Sequence, residues 1–330
     1  MNVVFDKISN RDAFGNVLVE MAANDDRIIY LSGDTLSVGG KKIQAKYPER
    51  ALNVGIAEQN MTLMGAGMAT CGAKVFIATY AVFATMRMLE QVRTFIAYPK
   101  LDVKIIAGMG GMTGGEEGVT HQGTEDICIM RSIPNMAVVV PADAASTTII
   151  TKKITEYIGP VYLRLGKYEL PKVFDENYQF EIGKANIIKA EGKDAALIFN
   201  GSVTSRCIRA EAELRKAGYG IKLIEMPCVK PIDRDVILWA AKECKMFITA
   251  EDNNIIGGLG SAVAEVLCET GEAVLKRMGL KDMFAQSADC EALMDYYGLS
   301  VANIVKTVQD EIAKKGEKRC HHEGYNESNC

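Results

Sequence analysis

The chain has 330 residues, 48% of them hydrophobic, which suffices to bury substantial cores and favours two domains over one. A formal net charge of −4, with Lys and Arg scattered rather than clustered, excludes a nucleic-acid or membrane surface. There is no signal-peptide pattern and no apolar run near the roughly 18 residues that span a bilayer, and the nine cysteines are spread singly without a C-x-x-C pair, so the expectation is a cytoplasmic protein with reduced thiols.

In chain order, short β-rich runs alternate with longer helical patterns. A helix near 10–23 precedes RIIYLS (27–32); a helix over 58–71 precedes KVFIA (74–78); a helix over 81–97 precedes VKIIAG (103–108). MAVVVP (136–141), a helix over 143–157 and VYLRL (161–165) follow. Apolar strands without strict alternation, separated by helices, predict a parallel sheet covered on both faces. From Pro171 to Glu191 the pattern lapses into a polar segment read as a crossover linker. A second alternation then begins, with AALIFN (195–200), a helix to about 217, IKLIEM (221–226), a helix near 233–243, MFITAE (246–251) and a helix opening at GGLGSAV (257–263). The expected architecture is therefore α/β with two doubly wound parallel domains, 1–170 and the smaller 192–315, joined by a linker at 171–191. The polar tail 316–330 is expected to be disordered, and its Cys320, His321, His322 and Cys330 match no zinc spacing.

Two stretches carry chemistry. VGIAEQNMTLMGAGMA (54–69) places Glu58 at the entrance to an apolar helix that reads as buried nearly all round, with Gly65 and Gly67 permitting close approach of another backbone. Glu58 is either a first-turn charge complementing the helix dipole or a buried working group. GGEEGVTHQGTED (114–126) follows a predicted strand, where the carboxyl ends of parallel strands present functional loops, and it holds His121. A histidine there is either structural or in contact with a ligand. Tyr80 and Phe83, by themselves, read as core packing.

Together these pieces resemble the transketolase family of thiamine diphosphate enzymes. The resemblance runs from Arg11 through SGD (32–34), GIAEQNM, ATYAVF, GEEGVTHQ, IPN (133–135), PAD (141–143) and VYLRLGK to GGLGSAV. It implies a pyrimidine-binding domain followed by the small transketolase C-terminal domain. The half of such enzymes that binds diphosphate and metal, marked by G-D-G, has no counterpart here. The resemblance thus implies one subunit of a split enzyme, with thiamine diphosphate and Mg2+ or Ca2+ held mainly by a partner N-terminal subunit in an α2β2 assembly. It further implies that Glu58 hydrogen-bonds the pyrimidine ring nitrogen and promotes its imino tautomer, in an apolar site where proton sharing is feasible. Tyr80 and Phe83 would stack on and edge that ring. Asp34 matches a cofactor-proximal aspartate, and His121 a histidine that hydrogen-bonds substrate hydroxyls. Glu117 stands where the family usually has aspartate.

Departures bear on the substrate. Of the family's clamp for a sugar phosphate, Arg11 is retained and Ser37 lies near the serine position. Met109 replaces a histidine and Lys167 an arginine, removing a donor and a bidentate fork. Either this is drift, or compensation by the partner, or the donor ketose ends differently, as a sulfonated sugar such as 6-deoxy-6-sulfofructose or a branched sugar phosphate such as apulose 4-phosphate. The alternatives are a 2-oxoacid dehydrogenase β-subunit, which lacks the T-H-Q loop, and a 1-deoxyxylulose-5-phosphate synthase-like protein, which normally carries three domains on one chain.

Overall fold

The computed structural model describes residues 3–269, 271 and 273–323, with side chains described to residue 314. In the first half, α1 (Asn10–Ala22) leads to β1 (Ile28–Ser32), α2 (Gly40–Lys46), β2 (Ala51–Asn53), α3 (Glu58–Thr70) and β3 (Lys74–Tyr80). Then come α4 (Ala81–Met86), α5 (Leu89–Gln91) with a π-turn at Val92–Ala97, β4 (Val103–Gly108), α6 (Asp126–Ser132), β5 (Ala137–Val139), α7 (Ala144–Glu156) and β6 (Val161–Arg164). The second half holds β7 (Asn186–Lys189), β8 (Ala195–Phe199), α8 (Thr204–Lys216), β9 (Ile221–Glu225), β10 (Cys228–Lys230) and α9 (Arg234–Glu243). It continues through β11 (Met246–Asn254), α10 (Leu259–Cys268), β12 (Val274–Leu280), α11 (Cys290–Tyr296) and α12 (Val301–Glu323).

The first sheet is seven-stranded in the order β10-β5-β6-β4-β3-β1-β2, and the second five-stranded in the order β12-β11-β8-β9-β7. Every residue of β4, β6, β8 and β9 is buried, as strands covered by helices on both faces must be. Alternate residues of β3 serve opposite cores. Val75 and Ile77 pack with Met61 and Ala66 of α3, whereas Phe76 and Ala78 pack with Phe14 and Leu18 of α1 and Ile150 and Ile154 of α7. The same division holds in the second sheet, where Leu197 and Phe199 meet α8 while Ala196 and Ile198 face α9 and α10. Helix starts follow local chemistry: Ser9 accepts from the Asp12 amide to open α1, and Asp143 forms a reciprocal capping box with Ser146 to open α7.

Several expectations are corrected. The helix anticipated over 81–97 is broken into α4, α5 and the π-turn. The sheets are parallel as expected except at one edge of each, where β7 and β10 run antiparallel to β9 and β5. Helix α3 is not buried all round. A side chain at Gly65 would meet Ile77 at 2.9 Å, so that face is tightly packed, but Gly67 has open space beside it and Leu63 is exposed. Helix α12 continues through Glu323, into the segment expected to be disordered; residues 324–330 and the side chains of Cys320, His321 and His322 lie outside the described residues. No disulfide links the described cysteines, and no described helix is long and apolar enough to cross a membrane.

Candidate functional site

Strand order explains the site. Strands β2, β1, β3, β4 and β6 are consecutive neighbours, so the residues just beyond their carboxyl ends form a row along one sheet edge. Glu58 follows β2, Asp34 and Ser37 follow β1, Tyr80 ends β3 and Phe83 follows it, Met109, Glu117 and His121 follow β4, and Lys167 follows β6.

At one end Glu58, the first residue of α3, is only 5% exposed. Its Oε1 accepts from Arg87 Nη1 at 3.0 Å rather than from a first-turn amide. The Arg87 guanidinium in turn lies 3.9 Å from the centroid of the Phe83 ring. Ile56, Met86 and Arg87 line an open cleft of about 520 Å³ around Glu58. In the middle of the row, Tyr80, Phe83 and His121 form a triangle of rings, with centroid separations of 5.9, 5.6 and 5.6 Å. His121 Nδ1 is 2.9 Å from Thr120 Oγ1, and Tyr80 Oη is 3.4 Å from Ser37 Oγ. Asp34 is exposed, takes a left-handed φ of 61°, and is held by Asn53, which accepts from the Asp34 amide and donates to its carboxylate.

At the other end one charge pair lies within the chain and one arginine is only partly satisfied. Lys167 donates to Glu117 at 2.7 Å. Burial pulls the Lys167 ammonium down, but hydrogen bonds to Glu117 and Tyr168 outweigh it and hold its pKa above the ordinary value. Arg11 Nη2 donates to the Lys167 carbonyl at 3.0 Å, and its Nε is buried without a hydrogen-bond partner. Burial lowers the Arg11 pKa, with Tyr80, Asp12 and Glu117 opposing. Arg11, Ser37, Lys41 and Lys42 line a cavity of about 270 Å³. Met109 is buried, with a φ of 59° that few non-glycine residues adopt.

The structure thus brings together Glu58, Phe83, Tyr80 and His121, and separately Arg11, Ser37, Glu117 and Lys167, the two groups meeting at Tyr80. Sequence reasoning overlooked Arg87, although its position four residues after Phe83 at the end of α4 is the spacing at which helical side chains meet. It also overlooked Asn53, and Gln122, whose Nε2 donates to the Gly115 and Gln286 carbonyls and so ties the glycine loop to the second half. Nor did any local signal mark Arg164, which lies buried between Asp126 at 2.9 Å and Asp252 at 2.5 Å and joins the halves. Among the described residues, no group of three or more His, Cys, Asp or Glu is arranged to hold a metal ion.

Residues 6–172 match the transketolase pyrimidine-binding domain, and residues 183–304 the transketolase C-terminal domain. A putative transketolase C-terminal section from Methanocaldococcus jannaschii is 40% identical over 310 residues, covering 92% of this chain and 96% of that protein. A 6-deoxy-6-sulfo-D-fructose transketolase subunit from Clostridium sp. (strain MSTE9) is 35% identical over 306 residues, covering 92% and 95%. A subunit of an apulose-4-phosphate transketolase from Phocaeicola vulgatus is 34% identical over 313 residues, covering 93% and 98%. A solved structure described as a split gene transketolase, inactive beta4 tetramer, superposes with a TM-score of 0.86 at 40% identity, covering 93% of this chain and 99% of that one.

Proposed function

Since this chain belongs to the transketolase family, we propose that it is the pyrimidine-binding and C-terminal subunit of a two-chain transketolase. In this reading it moves a two-carbon ketol unit from a ketose to an aldose once a partner subunit supplies the half that binds diphosphate and Mg2+ or Ca2+. One arrangement carries the reading: a buried carboxylate, two aromatic rings and a histidine converge at adjacent strand ends beside an open cleft.

The residues present suit the pyrimidine part of thiamine diphosphate. The cofactor, when bound, supplies an acidic thiazolium carbon as nucleophile for carbon–carbon cleavage. Glu58 would hold the pyrimidine ring nitrogen and share a proton with it, while Phe83 and Tyr80 would offer ring faces and edges. Nδ1 of His121 is engaged with Thr120 Oγ1 at 2.9 Å, which orients the ring and leaves Nε2 to hydrogen-bond substrate hydroxyls. Asp34, fixed by Asn53, would serve as the cofactor-proximal carboxylate. The open flank of α3 and the exposed Ile56 and Met86 beside Glu58 support a site finished by a second chain, in an α2β2 assembly with cofactor between subunits. The family's soluble sugar chemistry fits a cytoplasmic enzyme.

The substrate's anionic end falls to Arg11 and Ser37. The orphaned Nε of Arg11 is a donor awaiting an acceptor, whereas Lys167 is committed to Glu117 and Met109 offers no hydrogen bond. Such a site suits a singly charged sulfonate, or a phosphate on a branched sugar, better than the usual ketose phosphates. The names of the Clostridium and Phocaeicola relatives support that class of donor. Purified chain is expected to be inactive alone and active when mixed with its diphosphate-binding partner. The reconstituted pair should prefer a sulfonated or branched donor in kcat/KM, with glyceraldehyde 3-phosphate as acceptor. Activity of the single chain would refute the split reading, and ordinary efficiency on fructose 6-phosphate and xylulose 5-phosphate with no gain on the alternatives would refute the substrate class.

A further inference from the structure

Arg87 makes two contacts that coincide with those assigned above to the cofactor's aminopyrimidine. It is a planar group that donates to Glu58 Oε1 at 3.0 Å, and it lies over the Phe83 ring at 3.9 Å. A guanidinium and an aminopyrimidine are both flat, delocalised and bordered by N–H donors, so either can stack on an aromatic face while donating to a carboxylate. We infer that Arg87 is a placeholder for the aminopyrimidine: it occupies the seat made by Glu58 and Phe83 until cofactor displaces it. This inference rests on the pyrimidine-site reading of Glu58 and Phe83.

The two partners of the ion pair are unequal. Glu58 is 5% exposed and anchored in the first turn of α3, whereas the Arg87 side chain is 49% exposed and sits at the end of α4. Arg87 is therefore the member that moves. Its amide donates to the Phe83 carbonyl at 3.1 Å, which fixes the backbone while the side chain can rotate into the open cleft it lines. The arginine side of the pair is screened by water and the incoming ring donates to the carboxylate in its place, so the exchange costs little. Its presence still matters chemically, because a carboxylate that accepts from a permanent cation has a counter-ion in place of the proton it would share with a ring nitrogen. Displacement of Arg87 thus couples pyrimidine entry to freeing Glu58, and the pair shields a buried carboxylate from standing uncompensated beforehand.

The test is equilibrium binding by the full chain, titrated with 4-amino-5-hydroxymethyl-2-methylpyrimidine and followed by ligand-observed NMR. It is repeated by calorimetry with thiamine diphosphate and Mg2+ on the reconstituted enzyme. Arg87→Ala is expected to tighten binding in both formats by about 3-fold to 10-fold. Arg87→Lys, which keeps the charge without the planar face, should fall between wild type and Arg87→Ala. Glu58→Ala and Phe83→Ala should weaken binding. If those two weaken it while Arg87→Ala weakens or does not alter it, Arg87 is no placeholder and the pyrimidine site stands. If Glu58→Ala and Phe83→Ala leave binding unchanged, the pyrimidine-site reading falls and takes this inference with it.

Discussion

The two ends of the strand-edge row are finished to different degrees. At the Lys167 end, opposite charges lie within the chain: Lys167 meets Glu117, and Arg11 reaches the Lys167 carbonyl. At the Glu58 end, the carboxylate's partner is a half-exposed arginine, and exposed Ile56 and Met86 line the same cleft. The contrast teaches that charges are paired within the chain at one end of the row, whereas at the other a buried carboxylate opens onto a cleft lined by exposed apolar side chains.

The strongest way to break this comparison is Glu58→Gln in the reconstituted enzyme. An amide keeps the shape but shares no proton, so turnover and proton exchange at the thiazolium carbon should fall at least about 100-fold; exchange at the wild-type rate would remove Glu58 from activation. His121→Ala, in the middle of the row, should leave exchange nearly intact and impair sugar conversion, which a donor-consumption assay separates. At the closed end, Glu117→Gln releases Lys167 from its counter-ion. KM for a phosphorylated donor should then drop by about 2-fold to 5-fold, since an exposed pair is worth at most about 1 kcal/mol; an unchanged KM would mean that Lys167 does not face the anion. The smallest effect compares the two faces of α3 in the chain alone. Gly67→Ala should stabilise it by about 0.5–1 kcal/mol in urea melts, because a helical glycine is replaced where the space is open. Gly65→Ala should destabilise it, because the new methyl meets Ile77 at 2.9 Å.

Buried acids add a pH dependence unrelated to the site. Glu225 accepts from Tyr178 and Asn186 in the core, and burial pushes its pKa up to about 8. The folded state therefore prefers the protonated acid. That stabilisation is complete below the unfolded pKa near 4.5 and is lost as pH rises towards about 8. Glu225→Gln should flatten the fall in Tm between pH 5 and pH 8.

Much of the architecture was legible because strands buried on both faces leave uninterrupted apolar runs, as VKIIAG did for β4. The edge strands were not: β7 alternates between half-buried and exposed residues inside a polar segment, and β2 and β10 are three residues each. The positions of Glu58, Tyr80, Phe83 and His121 at strand ends followed from motif order, and their proximity from strand order, which only the fold reveals. Arg87 escaped because its spacing from Phe83 points to that ring but not to the Glu58 carboxylate it also meets. The left-handed backbone at Asp34 and Met109 escaped because neither is glycine.

Strand β10 belongs by sequence to the second half, yet it pairs with β5 at the border of the first sheet. Cutting the gene after residue 170 would strip that strip of backbone away and leave β5 with a row of unsatisfied amides and carbonyls, an adhesive margin for any other extended peptide. A protease nick between 171 and 191 would not part the molecule, because the fragments remain stitched through β10 and through Arg164 held between Asp126 and Asp252. The two halves thus have separate sheets but a shared margin, and each helps to close the other's border.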